Sequence, residues 1–414
     1  MNLWIDCERK PITELLEFIV DNRGKSVPTT EKGHILIATN CIKNDFLYPK
    51  YEKIRYLSQE TYESFFRAHP LPGDIIFVNK GTPGRVCLVP DPIDFCIAQD
   101  MIALRANRNL VDNHYLLAVL RTPTIQTQIH NTYVGDVIPH FKKQFMDRLL
   151  IPLPSMNIQK KIGDIYYTLC DKIEVNRRIN AELEELAQAL FKSWFVDFEP
   201  FKEEEFVESE LGMIPKGWKV GSISEICDVL SGFAFKSSSF VDEGNYRLIT
   251  IKGVQDGCLE INGAAYIDEI PSKMPNYCSL NIGDILLSLT GNVGRCCYVH
   301  HEDLLLNQRV AKLYPKNCND VSFIYTFFRK QDTKTLLELM ARGTAQANLS
   351  PIETSKMKVV LPDRRALDEF GKICNPLFWK MINNQQEITH LTALRDALLP
   401  KLMSGEIDVN EVEI

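Results

Sequence analysis

The residues best suited to chemistry sit in four loops that form two matched pairs, the first pair glycine-rich. One pair is Asn79-Lys80-Gly81-Thr82-Pro83-Gly84-Arg85 and Leu289-Thr290-Gly291-Asn292-Val293-Gly294-Arg295. The other is Val134-Gly135-Asp136-Val137-Ile138-Pro139-His140-Phe141-Lys142 and Arg342-Gly343-Thr344-Ala345-Gln346-Ala347-Asn348-Leu349-Ser350. Glycine lets a backbone approach a partner closely, while Asn, Gln, Arg, Lys and Thr reach base edges and phosphates. That chemistry is the binding of DNA. It singles out Lys80, Thr82, Arg85, His140 and Lys142 in the first half of the chain, and Thr290, Asn292, Arg295, Arg342, Thr344, Gln346 and Asn348 in the second. Any one of these loops is also an ordinary turn; their recurrence in two copies favours binding.

Bond-making chemistry has no comparable footing. There is no GxGxxG, HExxH or GxSxG, and Gly24-Lys25-Ser26 has Ile19 where a phosphate-cradling loop needs its first glycine. Asn375-Pro376-Leu377-Phe378 is the nearest approach to the Asn-Pro-Pro-Phe/Tyr loop of adenine methyltransferases, but it lacks the second proline and falls in a helical stretch. The twelve cysteines show no CxxC spacing and the eight histidines are dispersed, so neither a disulfide framework nor a metal site is expected. The reading is of a chain with no catalytic residues, no metal and no cofactor of its own.

The elements that must position these loops emerge from the rest of the 414 residues. An ordinary composition, 45% hydrophobic and 24% charged, suits two or three globular domains and excludes a disordered tail or a small disulfide scaffold. No apolar run approaches the roughly 18 to 20 residues that span a bilayer, and Met1 to Lys10 lacks the basic and apolar order of a signal peptide. A soluble, cytoplasmic chain without a membrane partner is expected. The net charge of -7 is uneven: residues 1–150 hold 18 basic and 17 acidic side chains and 211–362 hold 16 and 15, whereas 151–210 hold 7 and 13 and 363–414 hold 6 and 9.

That alternation reflects an internal repeat. Gly73-Asp74-Ile75-Ile76 returns as Gly283-Asp284-Ile285-Leu286 and Gly84-Arg85 as Gly294-Arg295, 210 residues on; Gly135 matches Gly343 and Pro154 matches Pro362 at 208. The offset of 208 then holds through Asn176 with Asn384, Leu183 with Leu391, Leu186 with Leu394, and Ala189-Leu190 with Ala397-Leu398. Steps of three and four between apolar residues predict a heptad seam in each copy, on a helix of roughly 35 to 40 residues and about 55 to 60 Å. Asn176, Leu183, Leu186 and Leu190 lie on the first seam; Asn384, Leu391, Leu394 and Leu398 lie on the second. The two rods are expected to pack antiparallel, the Asn pair setting register, and these residues are expected to form the seam or contact partners.

The remainder of each repeat reads as small sheets with interspersed helices. Strands are predicted at Asp74–Val78, Asp284–Leu289, His34–Ala38 and Leu248–Ile251, and helices at Asp112–Leu120 and Phe323–Met340. Asp197–Gly217, with Glu203-Glu204-Glu205 and Pro215-Lys216-Gly217-Trp218, reads as the linker between copies.

The run from Ile173-Glu174-Val175-Asn176-Arg177-Arg178-Ile179-Asn180 into Leu183-Glu184-Glu185-Leu186-Ala187-Gln188-Ala189-Leu190-Phe191-Lys192-Ser193-Trp194-Phe195 closely resembles the central helix of specificity subunits of type I restriction-modification systems. Leu211 to Trp218, Gly283 to Gly294 and Gly343 to Ser350 are also similar to that family's recurrent patterns. The resemblance spans essentially the whole chain. It implies a mixed α/β (α+β) fold with two pseudo-twofold-related target-recognition domains separated by two long antiparallel coiled-coil helices. On that reading, residues 1–154 are target-recognition domain 1, 155–200 the central spacer helix, 201–362 the linker and target-recognition domain 2, and 363–414 the C-terminal spacer helix and tail. It further implies a non-catalytic subunit binding double-stranded DNA at a bipartite site. Two modification (methyltransferase) subunits using S-adenosylmethionine, and restriction (translocase and nuclease) subunits using ATP and Mg, would be its partners. The first copy departs from the family pattern at Asn79–Gly84 and Gly135–His140, as two domains reading different half-sites would. A pseudo-symmetric protein scaffold without DNA binding is the alternative that the repeat alone would allow.

Overall fold

Two helices, Met156–Phe195 and Arg364–Ser404, carry the longest regular stretches of the chain. They extend beyond the glycine- and proline-free cores of their sequences, passing through Gly163, Gly371, Pro376 and Pro400. The two glycines are repeat mates and serve one purpose. A Cβ on Gly163 would lie 2.5 Å from Asp112 Oδ1 and 2.7 Å from the Tyr115 amide nitrogen, and one on Gly371 would lie 2.6 Å from the Asn319 carbonyl oxygen. At each, a neighbouring helix start presses against the long helix where no side chain intervenes. Asn375, in the sequence that approaches a methyltransferase motif, donates to that same Asn319 carbonyl at 3.0 Å and accepts from the Ser322 amide at 3.3 Å. Its role is to secure a helix start.

The computed structural model describes residues 6–22, 26–135, 137–341 and 348–412. They fall into two units, one of residues 1–175 with 388–414 and the other of residues 176–387, so each unit holds part of both long helices. The first unit contains a four-stranded antiparallel sheet in the order Leu16–Val20, Met101–Ala106, Ile75–Val78, Val86–Leu88. A three-stranded sheet of Arg55–Leu57, His34–Ile37 and Phe95–Ile97 has its last two strands parallel. A third pair joins Glu8–Pro11 to Leu150–Leu153. Strand alternation explains the layering: Ile75 and Phe77 face a core shared with helices Asn113–Leu120 and Pro123–Thr132, while Ile76 and Val78 face the three-stranded sheet.

The second unit repeats this plan. Its main sheet runs Cys227–Ser231, Val310–Pro315, Ile285–Ser288, Cys296–Tyr298, and its second sheet again has one parallel pair, Tyr246–Ile249 with Leu304–Leu306. Adjacent Cys296 and Cys297 point into different cores for the same period-two reason. All twelve cysteines are free thiols.

The helix pairing is antiparallel. Within the second unit Asn176 Nδ2 donates to Glu387 Oε2 at 2.9 Å, Asn384 Nδ2 to Asn180 Oδ1 at 2.9 Å, and Asn180 Nδ2 to the Met381 carbonyl at 3.0 Å, while Phe191 and Trp194 pack on Phe370. Asn176 and Asn384 are buried, but each bonds a different residue. Buried amides of this kind penalise any slipped register.

Three expectations change. Leu186 and Leu394 are not on the buried stripe: they are 47% and 37% exposed, and the neighbours Ala187 and Arg395 are buried instead. A straight helix of 3.6 residues per turn drifts off a strict heptad, which rotates the contact from 186 to 187 and, identically, from 394 to 395. Leu183 and Leu190 are half-buried against the second unit's core, and Leu391 and Leu398 against the first unit's. Secondly, the single helix expected at Phe323–Met340 is two, Val321–Arg329 and Gln331–Ala341, broken at Lys330 with φ -62° and ψ 134°. Lys330 is the repeat mate of Thr122, which breaks the corresponding pair ahead of Pro123. Thirdly, the linker carries a hairpin, Phe206–Ser209 with Gly212–Pro215, and Phe198, Phe201 and Trp218 close an aromatic cluster on Trp194 and Phe195.

Because overpacking a close contact costs about 1 to 3 kcal/mol, Gly163→Ala and Gly371→Ala should each lower unfolding free energy by about that much in chemical denaturation. The control Ala187→Gly removes buried methyl surface without adding a clash and should leave those two contacts intact.

Candidate nucleic-acid interface

In the first unit the central strand Ile75–Val78 runs directly into the loop Asn79–Arg85, which closes through the Gly84 amide donating to the Val78 carbonyl at 3.0 Å. The second loop is brought beside it by backbone bonds. Phe141 donates to the Asn79 carbonyl at 2.8 Å and Gly81 donates to the Pro139 carbonyl at 2.9 Å. Phe141 is wholly buried and anchors the arrangement in the core. Lys80 and Lys142 are exposed, and Thr82, Arg85 and His140 are half-buried. Lys80 Nζ lies 3.9 Å from Asp100 Oδ1, while the Asp100 carbonyl accepts from the amides of Asn79 and Lys80 at 3.1 and 3.3 Å.

The second unit joins its loops in the same way. Leu349, the repeat mate of Phe141 and equally buried, donates to the Leu289 carbonyl at 2.7 Å, and Thr290 pairs with Asn348 in a short antiparallel bridge. Gly294 donates to the Ser288 carbonyl at 3.0 Å, reproducing the closure at Gly84. Asn292 and Asn348 are exposed; Thr290 and Arg295 are half-buried. Arg342, Thr344 and Gln346 lie outside the described residues. In both units a helix backs the first loop: Gly84 rests over Ile129 and Gln126, and Gly294 over their repeat mates Leu337 and Lys334.

A supporting network escaped sequence reasoning. The Arg295 guanidinium donates to Gln255 Oε1, and the neighbouring Asp256 carboxylate accepts from Arg329 and Lys334. Arg329 Nε in turn donates to Glu184 Oε1 at 3.0 Å, and the Tyr325 hydroxyl to Glu184 Oε2 at 2.7 Å. A chain of contacts therefore runs from the first long helix to the loop holding Arg295. No spacing links positions 184, 256 and 329, and only the Gln255-Asp256-Gly257 turn could have hinted at a structured loop.

Three side-chain oxygens in these loops, Asn79 Oδ1, Thr82 Oγ1 and Thr290 Oγ1, are buried without a hydrogen-bond partner. Nearly all buried polar atoms are bonded, so these three mark hydrogen-bonding capacity that the loops leave unused beneath their surface. Nucleophilic chemistry has no such support. Burial pushes the thiols of Cys87, Cys96, Cys227, Cys278, Cys296, Cys297 and Cys374 up, away from the thiolate that attacks or binds metal. Burial, assisted by the neighbouring His301, pushes the His300 imidazole down to about 3. Among the described residues, no group of three or more His, Cys, Asp or Glu side chains converges as a metal site. No helix among them is long and apolar enough to cross a membrane. The described loop residues offer cations, amides and hydroxyls on hydrogen-bonded backbone, which is the equipment of recognition.

Known proteins share this organisation. The model of the type I restriction modification DNA specificity domain matches residues 5–185 and again 215–390, one match in each copy of the repeat. The type I restriction enzyme MjaIX specificity subunit of Methanocaldococcus jannaschii is 29% identical over 353 residues, covering 82% of this chain and 79% of that one. The type I restriction enzyme HindI specificity subunit of Haemophilus influenzae is 25% identical, covering 89% and 93%. In fold, the chain is similar to the type I restriction-modification system S subunit from M. genitalium, with a TM-score of 0.54 at 18% identity over 96% of both chains. With both copies of the repeat matched along most of their length, the chain belongs to the family of type I restriction-modification DNA specificity subunits.

Proposed function

We propose that this chain reads a bipartite duplex DNA site, one half-site per unit, and directs modification and restriction subunits to it without a catalytic centre of its own. The observation that carries the reading is the loop pair built twice: a strand-end loop and a second loop, joined in both units by one backbone hydrogen bond and anchored by Phe141 or Leu349. Such loops hold Lys80, Lys142, Asn292, Arg295 and Asn348 at fixed points on a frame, as base and phosphate readout requires. Arg342, Thr344 and Gln346 join them on sequence grounds. Methyl transfer with S-adenosylmethionine and ATP- and Mg-dependent cleavage belong, on this reading, to the partners in the cytoplasm. Leu186 and Leu394, exposed at equivalent points of the long helices, suit contact with two copies of one partner.

Methylome sequencing of cells carrying the complete system should return an adenine-methylated motif of two short half-sites around a non-specific spacer; a continuous motif would refute the bipartite reading. In the same assay Asn292→Ala should relax one position of one half-site, with discrimination falling by about 1 to 3 kcal/mol. Lys80→Ala should instead weaken binding to all sequences and reduce the salt slope by about one.

The long helices would act as a ruler between reading surfaces about one DNA turn, on the order of 34 to 36 Å, apart. Four extra residues inserted into one of them add roughly one turn, about 6 Å. The preferred spacer length should then change while both half-sites stay the same; an unchanged spacer argues against the ruler.

The acidic balance of the chain, with its sequence pI near 5.7, supports a reading in which the partners make much of the phosphate contact, since DNA binders that act alone carry a basic surplus. The purified chain alone should therefore bind its site weakly and lose it readily as salt rises. Tight, salt-resistant binding in a fluorescence anisotropy titration would contradict that division of labour.

A further inference from the structure

The second loop of the first unit ends in two aliphatic side chains turned to solvent. Val137 is 93% exposed and Ile138 55% exposed, with Val134 beside them also exposed. Their support is tied down by backbone hydrogen bonds. Val134 and His140 exchange both backbone hydrogen bonds, at 3.0 and 2.8 Å, Gly81 donates to the Pro139 carbonyl, and Phe141 locks the base of the loop into the core. Gly135 makes the turn at φ +98°, where a Cβ would lie 2.8 Å from the Ile138 carbonyl oxygen. The result is a narrow ribbon end presenting apolar groups, with the exposed cations Lys80 and Lys142 carried by the same pair of loops.

A protein surface gains nothing from holding β-branched aliphatics rigidly in water, and cations beside an apolar tip limit the surfaces it complements. The major groove of duplex DNA admits a two-stranded ribbon, its walls are phosphates, and the apolar group on its floor is the thymine C5 methyl. We propose that Val137 and Ile138 form an aliphatic reader of thymine methyl groups in the half-site of the first unit. This rests on the DNA-reading function above and adds what is read. The counterpart sequence in the second copy, Gly343 to Asn348, carries Gln346 and Asn348, side chains suited to adenine. The two copies thus differ in chemistry at the point where they would differ in sequence preference.

The test uses the full chain assembled with its modification subunits and a duplex bearing the methylome-defined site. Each thymine is replaced in turn by deoxyuridine, which removes only the C5 methyl. At one or two positions of a single half-site, Kd should rise about fourfold per methyl, the equivalent of about 0.8 kcal/mol for one buried methylene-sized group. The double variant Val137→Ala, Ile138→Ala should bind the natural duplex more weakly and lose that uracil sensitivity, with responses in the other half-site unchanged. Specific binding with no uracil-sensitive position, or sensitivity that persists in the double variant, overturns the thymine reader and leaves the DNA-reading function standing. Failure of the double variant to co-elute with the modification subunits, at unchanged thermal stability, would assign the tip to a protein contact and overturn it too. A complex that binds the natural duplex no better than a scrambled one overturns both.

Discussion

An amphipathic helix of about 40 residues cannot leave its apolar stripe in water, and this requirement organises the chain. Each long helix divides its stripe between the two units: Ile162, Ile165 and Leu169 of the first helix and Leu399, Leu402 and Met403 of the second lie in the core of the first unit. Phe191 of the first helix and Phe370, Phe378 and Met381 of the second lie in the core of the second unit. At roughly 1.5 to 3 kcal/mol for each large apolar side chain fully buried, these residues tie each sheet to the helix pair. The same constraint explains Gly163 and Gly371. A helix that must serve as the wall of a core has to let the next element approach, and glycine is the residue that permits the approach at little more than its propensity cost.

From that wall the order reaches the loops in short steps. The main sheet of each unit packs on the helical layer, its central strand ends at the first loop, and the second loop is stitched to that strand end by one backbone bond. In the second unit a further path exists through side chains, from Glu184 to Arg329, Asp256 and the turn bearing Gln255, which holds Arg295. Asp256 at the outer end of this network is exposed, whereas Glu184 and Arg329 are largely enclosed. The network's residues hold the Arg295 guanidinium through Gln255.

Much of this was legible in the amino-acid sequence because duplication marks what the fold needs twice. The strand at 75–78 with its mate at 285–288 and the first loop pair recur at an offset of 210, the second loop pair and the long helices at 208, and period-two or heptad patterning names the type of each strand and helix. What was not legible depends on contacts between segments distant in sequence. Leu186 and Leu394 look like seam residues until helical drift moves the contact by one position. The break at Lys330 carries no proline, unlike its mate at Thr122-Pro123, so only packing reveals it. The hairpin at 206–215 is short and charged at its edges, and the aromatic cluster that holds it draws on Trp194, Phe195, Phe198, Phe201 and Trp218, whose grouping requires the fold.

The division between anchoring and presenting positions has a consequence for how specificity diverges. Phe141 and Leu349, Ile129 and Leu337, and the strand ends at Val78 and Ser288 are buried or nearly so and occupy equivalent places in both units. Substitutions there create cavities or clashes of several kcal/mol. Among the positions between the anchors Lys80, Lys142, Asn292 and Asn348 are exposed, and exchange at exposed sites usually alters stability by less than about 0.5 kcal/mol. A chain built on this plan can therefore change Asn292 or the Val137-Ile138 tip freely while the frame beneath them stays closed. The two copies differ at these loop positions, as between Asn79 to Gly84 and Gly135 to His140 and their mates, while the anchors stay in place and change in kind, Phe141 for Leu349, Ile129 for Leu337 and Val78 for Ser288. Stability thus constrains the anchors more tightly than the exposed positions between them, so the two copies keep one frame while their exposed loop residues differ.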